Sequence, residues 1–241
     1  MLRGANKQEI FHDDGDYRRF LDTLEKYKEV SGVDVFGWCL MTNHVHLLIR
    51  EGDEPISTTM KRLAVSYVGY YNLKYHTTGH LFQDRFRSEN VESHRYLMTV
   101  IRYIHQNPIK AGMVKRAEEW KWSSCLGYYN KKVYPKGLLD KKYILSLFSA
   151  DAVEARESFK TFNETVNGDQ CLDNVRVSRL TDQEAREEIR TFLGAIEITQ
   201  VKGMPKLQRN VLLHEIKKIE GLSQRQIARI LGVSPNLIFK A

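Results

Sequence analysis

The fold is decided by residues 33–50, VDVFGWCLMTNHVHLLIR. Residues 33–40 are rich in β-branched and aromatic side chains, a composition typical of a buried strand. Residues 44–50 predict the next strand, and the intervening Met41-Thr42-Asn43 indicates a tight connection between the two. The stretch therefore predicts neighbouring strands of a mainly antiparallel sheet.

Helical patterns flank this pair of strands, and residues 81–91 predict a third strand further along the chain. The first predicted helix begins at Asp13-Asp14 and ends at Ser31-Gly32. The second begins at Pro55. The third is capped by Ser93 and runs to about Asn107, where Pro108 ends it. The order helix, strand, strand, helix, strand, helix predicts an α+β fold with helices packed on an antiparallel sheet. From residue 138 onward only helical patterns occur, over residues 138–148, 152–165, 182–196 and 207–219 with a linker at 166–170.

Composition limits the function classes. The chain has 241 residues, a net charge of +7 and 42% hydrophobic residues, so it can form a packed core. The positive charge favours an acidic partner, most commonly nucleic acid. No apolar run approaches the roughly 18 residues that cross a bilayer, and no signal-peptide core is present, so we expect a soluble cytoplasmic protein without a membrane partner. Three widely spaced cysteines exclude a Cys-only zinc site and argue against a disulfide framework.

The strongest local motif is His44-Val45-His46. Residues two apart on a strand point to the same face, and two imidazoles side by side can bind one divalent metal ion. Val45 and the apolar residues that alternate with the histidines then face a core on the other side. The spacing alone is equally compatible with two surface histidines on a solvated strand.

A second motif is Tyr103 with Asn107, four residues apart on one face of the third helix. A tyrosine hydroxyl can attack phosphorus when a metal ion polarises the phosphate, and an amide oxygen can be a third metal ligand. Alternatively, Tyr103 is a core aromatic residue and Asn107 merely suits a helix end before proline. Tyr96 is the rival nucleophile, but it lacks a polar partner four residues on.

Three blocks of sequence together resemble one family. They are residues 41–49 (MTNHVHLLI), 79–88 (GHLFQDRFRS) and 102–114 (RYIHQNPIKAGMV). In this order and spacing they resemble the single-tyrosine HUH transposases, and within that group the REP-associated tyrosine transposases. The resemblance covers roughly residues 3–130.

The resemblance implies a ferredoxin-like or RRM-like domain, which we place at residues 1–130. It implies that His44, His46 and Asn107 bind Mg²⁺ or Mn²⁺ and that Tyr103 is the nucleophile. It implies cleavage and rejoining of single-stranded DNA, at hairpin-forming or repeat sequences, through a 5′-phosphotyrosine. It leaves open whether one chain or a homodimer builds the site. We expect basic side chains to contact this DNA, namely Arg85, Arg87, Arg102, Lys110, Lys115 and Arg116. Four tyrosines are possible platforms on which bases stack, namely Tyr67, Tyr70, Tyr71 and Tyr75. Helical spacing favours core packing for Tyr67 and Tyr71.

The chain differs from the family at its start. Relatives usually have a further strand before the Arg-Gly pair that is Arg3-Gly4 here. The first strand is therefore expected to be shortened, or the chosen start lies late, or the gene is a decaying copy. The last reading favours an alternative function, a catalytically impaired DNA-binding or regulatory protein that keeps the fold.

Residues 222–235 resemble a helix-turn-helix. Ser223 caps the first helix, Gly232 forms the turn, and Ser234-Pro235 begin the recognition helix. Arg225 and Arg229 are the expected DNA contacts, while an ordinary helical hairpin is the alternative. We therefore divide the remainder into a helical extension and linker at residues 131–170 and a helical C-terminal domain at residues 171–241.

Overall fold

A computed structural model describes residues 1–169, 171, 180–219 and 221–240. It divides the chain into two compact units, Met1–Leu172 and Asp173–Ala241. The first unit contains β1 (Leu2–Arg3), α1 (Asp14–Ser31), β2 (Asp34–Leu40), β3 (His44–Arg50), α2 (Ile56–Tyr75), α3 (His94–Lys110), α4 (Cys125–Tyr128), α5 (Lys141–Ser146) and α6 (Ala152–Glu164), with 3₁₀ turns at Ala5–Lys7 and Ala117–Glu119. The second contains α7 (Asp182–Leu193), a 3₁₀ turn (Ile198–Gly203), α8 (Lys206–Ile216), α9 (Gln224–Leu231) and α10 (Pro235–Lys240). None of the described helices combines the length and the apolar character that crossing a membrane requires.

The sheet is small, antiparallel and three-stranded, in the order β1-β3-β2. Arg3 lies opposite His44, and Cys39 lies opposite His46, so the histidine strand is the central one. The register shifts between Val35 and Gly37, which is a β-bulge in β2. This arrangement confirms the predicted α+β fold with an antiparallel sheet.

The two faces of the sheet bury different cores. Val45 joins one hydrophobic cluster with residues of α1 and α2, while Leu48 joins another with residues of α3, α5 and α6. Residues of β3 alternate between these clusters because successive side chains on a strand point to opposite faces. His44 and His46 therefore share the face of the sheet on which α3 packs.

Helix α3 packs closely on that face at Gly37 of β2. A Cβ atom on Gly37 would lie 2.4 Å from the Cδ1 atom of Ile101, so a larger residue there would require the Ile101 side chain to shift. Ile101 is fully buried at this contact. The missing side chain of Gly37 therefore makes room for Ile101 of α3 against the sheet.

The predicted third strand at residues 81–91 is wrong. Residues 81–87 instead run irregularly beside β1, with Ala5 N–H donating to the Leu81 carbonyl at 2.9 Å and Gln83 N–H donating to the Arg3 carbonyl at 2.9 Å. Only an isolated bridge between Gly4 and Phe82 has regular geometry. The neighbouring β1 has only two residues, so it offers too few backbone groups for a continuous ladder. β1 lies at the position of the first strand that the resemblance led us to expect, although no periodicity in the sequence indicates it.

Helix boundaries follow the capping signals except at proline. Asp13 caps α1 by accepting a bond from Asp16 N–H, and Gly32 ends the helix in the left-handed conformation. The prediction that Pro108 ends α3 near Asn107 is wrong, because the helix continues to Lys110. Proline only omits one backbone donor here, and bonds from the next turn, such as Ala111 N–H to the Asn107 carbonyl, close the helix.

The later helices occur where helical patterns were predicted, although α5 and α7 are shorter than expected. Ile144 of α5 and Phe159 of α6 are buried in the α3 cluster, so the predicted extension packs onto the first unit. Of the predicted linker, residues 166–169 are described and Gln170 lies outside the described residues. In the second unit, Gly232 between α9 and α10 has a φ of 62°, as a tight turn requires.

Candidate active site

Strand β3 places two imidazole rings side by side. The ring centroids of His44 and His46 are 4.9 Å apart, with an interplanar angle of 83°. The ring nitrogen Nδ1 of His44 lies 2.6 Å from the amide oxygen of Asn43. His46 is only 5% exposed because α3 covers that part of the sheet. The pair therefore has a fixed orientation at the edge of a core, unlike histidines on a solvated strand.

Helix α3 brings Tyr103 to this pair from a distant part of the chain. The ring centroid of Tyr103 is 5.9 Å from that of His46, and the rings meet edge to face. Tyr103 is 4% exposed. The structure thus unites the three residues that the sequence motifs suggested, on the face of the sheet on which α3 packs.

Asn107 lies one turn after Tyr103 on α3. Its side-chain nitrogen Nδ2 donates a hydrogen bond to the Tyr103 carbonyl at 2.9 Å. That bond restrains the amide through its nitrogen, whereas cations bind amides through oxygen. The bond leaves the amide oxygen of Asn107 as the atom that would bind a cation, and its role as a ligand stays a prediction.

Two of the predicted DNA-binding residues on α3 contact the segment after α6. The Nζ atom of Lys110 lies 4.5 Å from the ring centroid of Tyr103 and donates to the Asp169 carbonyl at 2.9 Å. Burial lowers the pKa of Lys110. Arg102 pairs with the Asp169 carboxylate at 2.7 Å and lies over the ring of Phe162. Lys110 is thus a cation next to the phenol, while the charge of Arg102 is balanced within the protein.

The remaining basic residues of the first unit are exposed. Arg85 and Arg87 do not lie on a strand, because the strand predicted over residues 81–91 does not form. Arg87 N–H instead donates to the Met1 carbonyl at 3.0 Å, and its side chain borders the cleft at Tyr103. Lys115 is exposed, and Arg116 forms surface ion pairs with Glu118 and Glu119.

The tyrosines of α2 serve the core. Tyr67 is fully buried and donates to the Ile10 carbonyl at 2.6 Å. Tyr70 and Tyr75 both donate to the buried carboxylate of Asp16, at 3.0 and 2.6 Å. The Tyr71 hydroxyl contacts the His12 ring. Core packing is therefore confirmed for Tyr67 and Tyr71, and Tyr70 and Tyr75 have partners within the fold.

Tyr96, the rival nucleophile, has a different environment. Its hydroxyl donates to the Glu89 carboxylate at 2.6 Å. Burial, together with this hydrogen bond, raises the pKa of Tyr96. The contacts that distinguish Tyr103, a histidine ring and a lysine ammonium, are therefore those that suit a phenolate, whereas Tyr96 faces a carboxylate.

Sequence reasoning missed a buried polar network behind the site. His105 is fully buried between Asn163 Oδ1 at 3.1 Å and Ser124 Oγ at 2.8 Å. Burial lowers the pKa of His105 to about 4. Ser124 in turn accepts from Trp38 N–H of β2 at 3.0 Å, so the network ties α3 to the sheet and to α6. The signal that was overlooked is a histidine on the apolar side of α3, between Ile104 and Gln106.

In the second unit, the two predicted DNA contacts differ. Arg225 and Arg229 are both exposed on α9. The guanidinium of Arg229 pairs with the Asp182 carboxylate. The duplex-reading role of α9 and α10 stays a prediction.

Known proteins resemble the part of the chain that carries these histidines and this tyrosine. Residues 1–107 match the family "Transposase IS200 like". Among similar proteins, the REP-associated tyrosine transposase of Escherichia coli (strain K12) is 22% identical over 121 residues, covering 49% of this chain and 70% of the relative. A REP-associated tyrosine transposase named in Haemophilus influenzae is 24% identical over 110 residues, covering 41% of this chain and 62% of the relative. The predicted resemblance is thereby confirmed.

A solved structure of a REP-associated tyrosine transposase bound to a REP hairpin is also similar. The TM-score is 0.47 and the sequence identity 18%, and the alignment covers 58% of this chain and 84% of that one.

Proposed function

We propose that the protein cleaves and rejoins single-stranded DNA with Tyr103 as the nucleophile. One observation carries the proposal: the Tyr103 ring lies 5.9 Å from His46, and His46 lies 4.9 Å from His44. A phenol beside two imidazoles is a sufficient set for phosphoryl transfer at a metal ion. We also propose that residues 1–130 form a ferredoxin-like HUH domain.

The chemistry is a transesterification that needs no further reactant. The Tyr103 oxygen attacks the phosphorus of a phosphodiester, the bond from phosphorus to the 3′-oxygen breaks, and the phenol proton ends on that 3′-oxygen. The product is a 5′-phosphotyrosine with a free 3′-OH, and the reverse reaction rejoins strands. The ammonium of Lys110, 4.5 Å from the ring centroid, favours negative charge on the phenol and on the phosphate.

The residues at the site fit a divalent metal ion. Imidazole is a common ligand of divalent transition-metal ions, and the amide oxygen of Asn107 would add the kind of ligand that Mg²⁺ and Mn²⁺ prefer. Over the described part of the chain, no group of three or more His, Cys, Asp and Glu side chains could hold a metal ion. Phosphate and water would therefore complete the coordination of a metal ion bound by His44 and His46. When bound, the metal ion supplies positive charge that offsets the charge developing on the phosphate oxygens.

The proposed partner is DNA with a hairpin. The solved relative is described as bound to a REP hairpin. The chain carries a net charge of +7, Arg85 and Arg87 are exposed, and Arg87 lies near Tyr103. In this proposal the first unit acts on the unpaired strand, and α9 and α10 of the second unit bind duplex DNA.

A second candidate function is DNA binding without cleavage. The burial of Tyr103, which is only 4% exposed, favours it, because a nucleophile must reach phosphorus. The His44, His46 and Tyr103 cluster favours cleavage, since binding alone does not require a phenol beside imidazoles.

The test uses labelled hairpin oligonucleotides taken from inverted repeats beside the gene, with Mn²⁺ present. We expect a denaturation-resistant protein–DNA adduct that disappears in Tyr103→Phe and persists in the matched control Tyr96→Phe. Salt-sensitive binding of these hairpins without any adduct would support the second candidate. An adduct that survives in Tyr103→Phe would refute the assigned nucleophile.

A further inference from the structure

A short turn near the start of the chain contacts the loop that precedes the histidine strand. The turn is the 3₁₀ element Ala5–Lys7, and Asn43 is the last residue of that loop. Gly4 N–H donates to the Asn43 carbonyl at 2.9 Å. The Asn43 side chain also returns to the turn, where its Nδ2 atom donates to the Lys7 carbonyl at 3.1 Å. Asn43 is therefore bonded to this part of the chain through both its backbone and its side chain.

The turn has an uncommon backbone conformation. Asn6 has a φ of 51° and Lys7 has a φ of 63°, so both lie in the left-handed region. Residues other than glycine rarely adopt this conformation, and lysine lacks the short polar side chain that makes it easier for asparagine. Such conformations persist where surrounding contacts hold them, often beside functional sites. The Asn43 amide bonds the carbonyl of one of these two residues.

The bond to Lys7 determines which way the Asn43 amide faces. A backbone carbonyl only accepts hydrogen bonds, so the atom that meets it must be the amide nitrogen. The amide oxygen then faces His44, 2.6 Å from the ring nitrogen Nδ1. Since an amide oxygen also only accepts, Nδ1 of His44 must carry the hydrogen in this bond. In a neutral imidazole of that tautomer, the nitrogen that can bind a metal ion is Nε2.

We propose that Asn43 is a positioning residue, which fixes the tautomer and the ring orientation of His44 for metal binding. The inference rests on the proposed function, because that function places a metal ion at His44 and His46. Metal-binding histidines commonly donate their second ring N–H to an oxygen atom, which selects the ligating nitrogen and holds the ring. Here that oxygen belongs to an amide whose orientation is set by the Lys7 carbonyl. The turn Ala5–Lys7 therefore acts on the site through Asn43.

The test follows His44 and Mn²⁺ without DNA. The full chain is titrated with Mn²⁺ under electron paramagnetic resonance, and His44→Ala identifies the binding that depends on His44. Asn43→Ala removes both side-chain bonds, whereas Asn43→Asp loses the donor to the Lys7 carbonyl but keeps an oxygen for Nδ1 of His44. Asn72→Ala on α2 is the matched control, because Asn72 also donates to a loop carbonyl, that of Gly79, at 3.1 Å.

We expect the Mn²⁺ affinity to fall about tenfold or more in Asn43→Ala, the usual effect of removing the partner of a metal-binding histidine. Asn43→Asp binds at least as tightly as the wild type, since carboxylates commonly hold such histidines. Asn72→Ala binds as the wild type does. If Asn43 only holds the turn, Asn43→Ala and Asn43→Asp weaken binding equally, and that result overturns the proposal. Wild-type affinity in Asn43→Ala, or Mn²⁺ binding that His44→Ala leaves unaltered, overturns it as well.

A spectroscopic measurement tests the tautomer directly and does not depend on whether a variant of Asn43 folds. Nitrogen-15 NMR of histidine-labelled protein at about pH 8, where an ordinary imidazole is neutral, distinguishes the ring nitrogen that carries hydrogen from the one that does not. The His44 signals are those missing from His44→Gln. We expect hydrogen on Nδ1 of His44 in the wild type and in Asn43→Asp, and a mixture of tautomers in Asn43→Ala. Hydrogen on Nε2 of His44 in the wild type contradicts the proposal.

Failure of the proposed function would look different. A protein whose Mn²⁺ affinity and His44 tautomer follow this pattern, yet which forms no adduct with any hairpin, retains the role of Asn43 and loses the transferase assignment. An adduct that forms in the wild type, with the Mn²⁺ affinity unaltered in Asn43→Ala, retains the transferase and removes the positioning role.

Discussion

Helices α2 and α3 pack on opposite faces of one sheet, and both carry tyrosines, but these side chains have different neighbours. On α2, Tyr67 donates to a backbone carbonyl, and Tyr70 and Tyr75 donate to the buried Asp16. On α3, Tyr103 meets His46 and Lys110. The α2 tyrosines satisfy polar groups that folding buries, whereas Tyr103 lies among groups that suit phosphate chemistry. Distant chain segments, not the helix that carries the tyrosine, decide which role it has.

The largest expected effect comes from removing the imidazole beside Tyr103. His46→Ala should lower the rate of adduct formation roughly a thousandfold, or about 4 kcal/mol in activation free energy, because a metal ligand is lost. Mn²⁺ binding, followed by electron paramagnetic resonance, should weaken in the same variant. Tyr70→Phe is the matched control on α2, and we expect the wild-type rate from it. Equal losses in both variants would end the distinction between the two helices.

The second test asks whether the α2 cluster, formed by Asp16 with Tyr70, Lys74 and Tyr75, is purely structural. Asp16 is fully buried and accepts bonds from Lys74 at 2.7 Å, Tyr75 and Tyr70. Burial raises the pKa of Asp16, but these hydrogen bonds outweigh it and lower the pKa overall. Asp16→Asn should reduce the free energy of unfolding by about 3 kcal/mol, since it removes one partner of a buried charged pair.

The measurement is denaturant unfolding followed by tryptophan fluorescence. All three tryptophans lie in the first unit, so the signal reports on that unit alone. Asp14→Asn is the control, because Asp14 makes only an exposed pair with Lys121 and should change stability by less than about 1 kcal/mol. A folded Asp16→Asn protein that forms no adduct would place the α2 cluster in the active site.

The sequence predicted those elements whose boundaries depend on residues close together in the chain. The alternation of polar and apolar residues in β3 gave the correct strand, His44–Arg50, and the capping residues gave both ends of α1. The pairing of His44 with His46 followed from the strand period alone. Tyr103 entered through the motif around it, and the packing of Leu97, Ile101 and Ile104 of α3 on the sheet brings it to His46.

What the sequence could not predict depends on contacts between distant residues. β1 is two residues long and exists because β3 offers a partner, so no periodicity reveals it. Arg102 was expected to face DNA, but Phe162 of α6 and Asp169 after that helix contact its guanidinium. His105 was read only as part of a motif, although Ser124 and Asn163 make it the centre of a buried network.

His105 sharpens the comparison within α3 itself, since it is two residues from Tyr103 yet faces the core. Its partners Asn163 and Ser124, and the rings of Tyr128 and Phe159 beside it, are uncharged. The folded protein holds its pKa at about 4, below the usual value of 6.5, because burial disfavours the charged ring. The unfolded chain therefore binds more protons below about pH 6.5, and stability falls as the pH drops from there toward 4.

We expect the first unit to lose about 2 kcal/mol of stability between pH 7 and pH 5 from this histidine alone. Denaturant unfolding by tryptophan fluorescence at a series of pH values gives the slope. His105→Gln removes the titrating ring and should flatten the curve over this range, even though it lowers stability at pH 7. His94→Gln, which changes an exposed histidine on the same helix, should leave the slope unaltered. If stability depends on pH as steeply in His105→Gln as in the wild type, His105 is not the group that titrates. The contrast between a structural His105 and a functional Tyr103 on α3 would then lose its support.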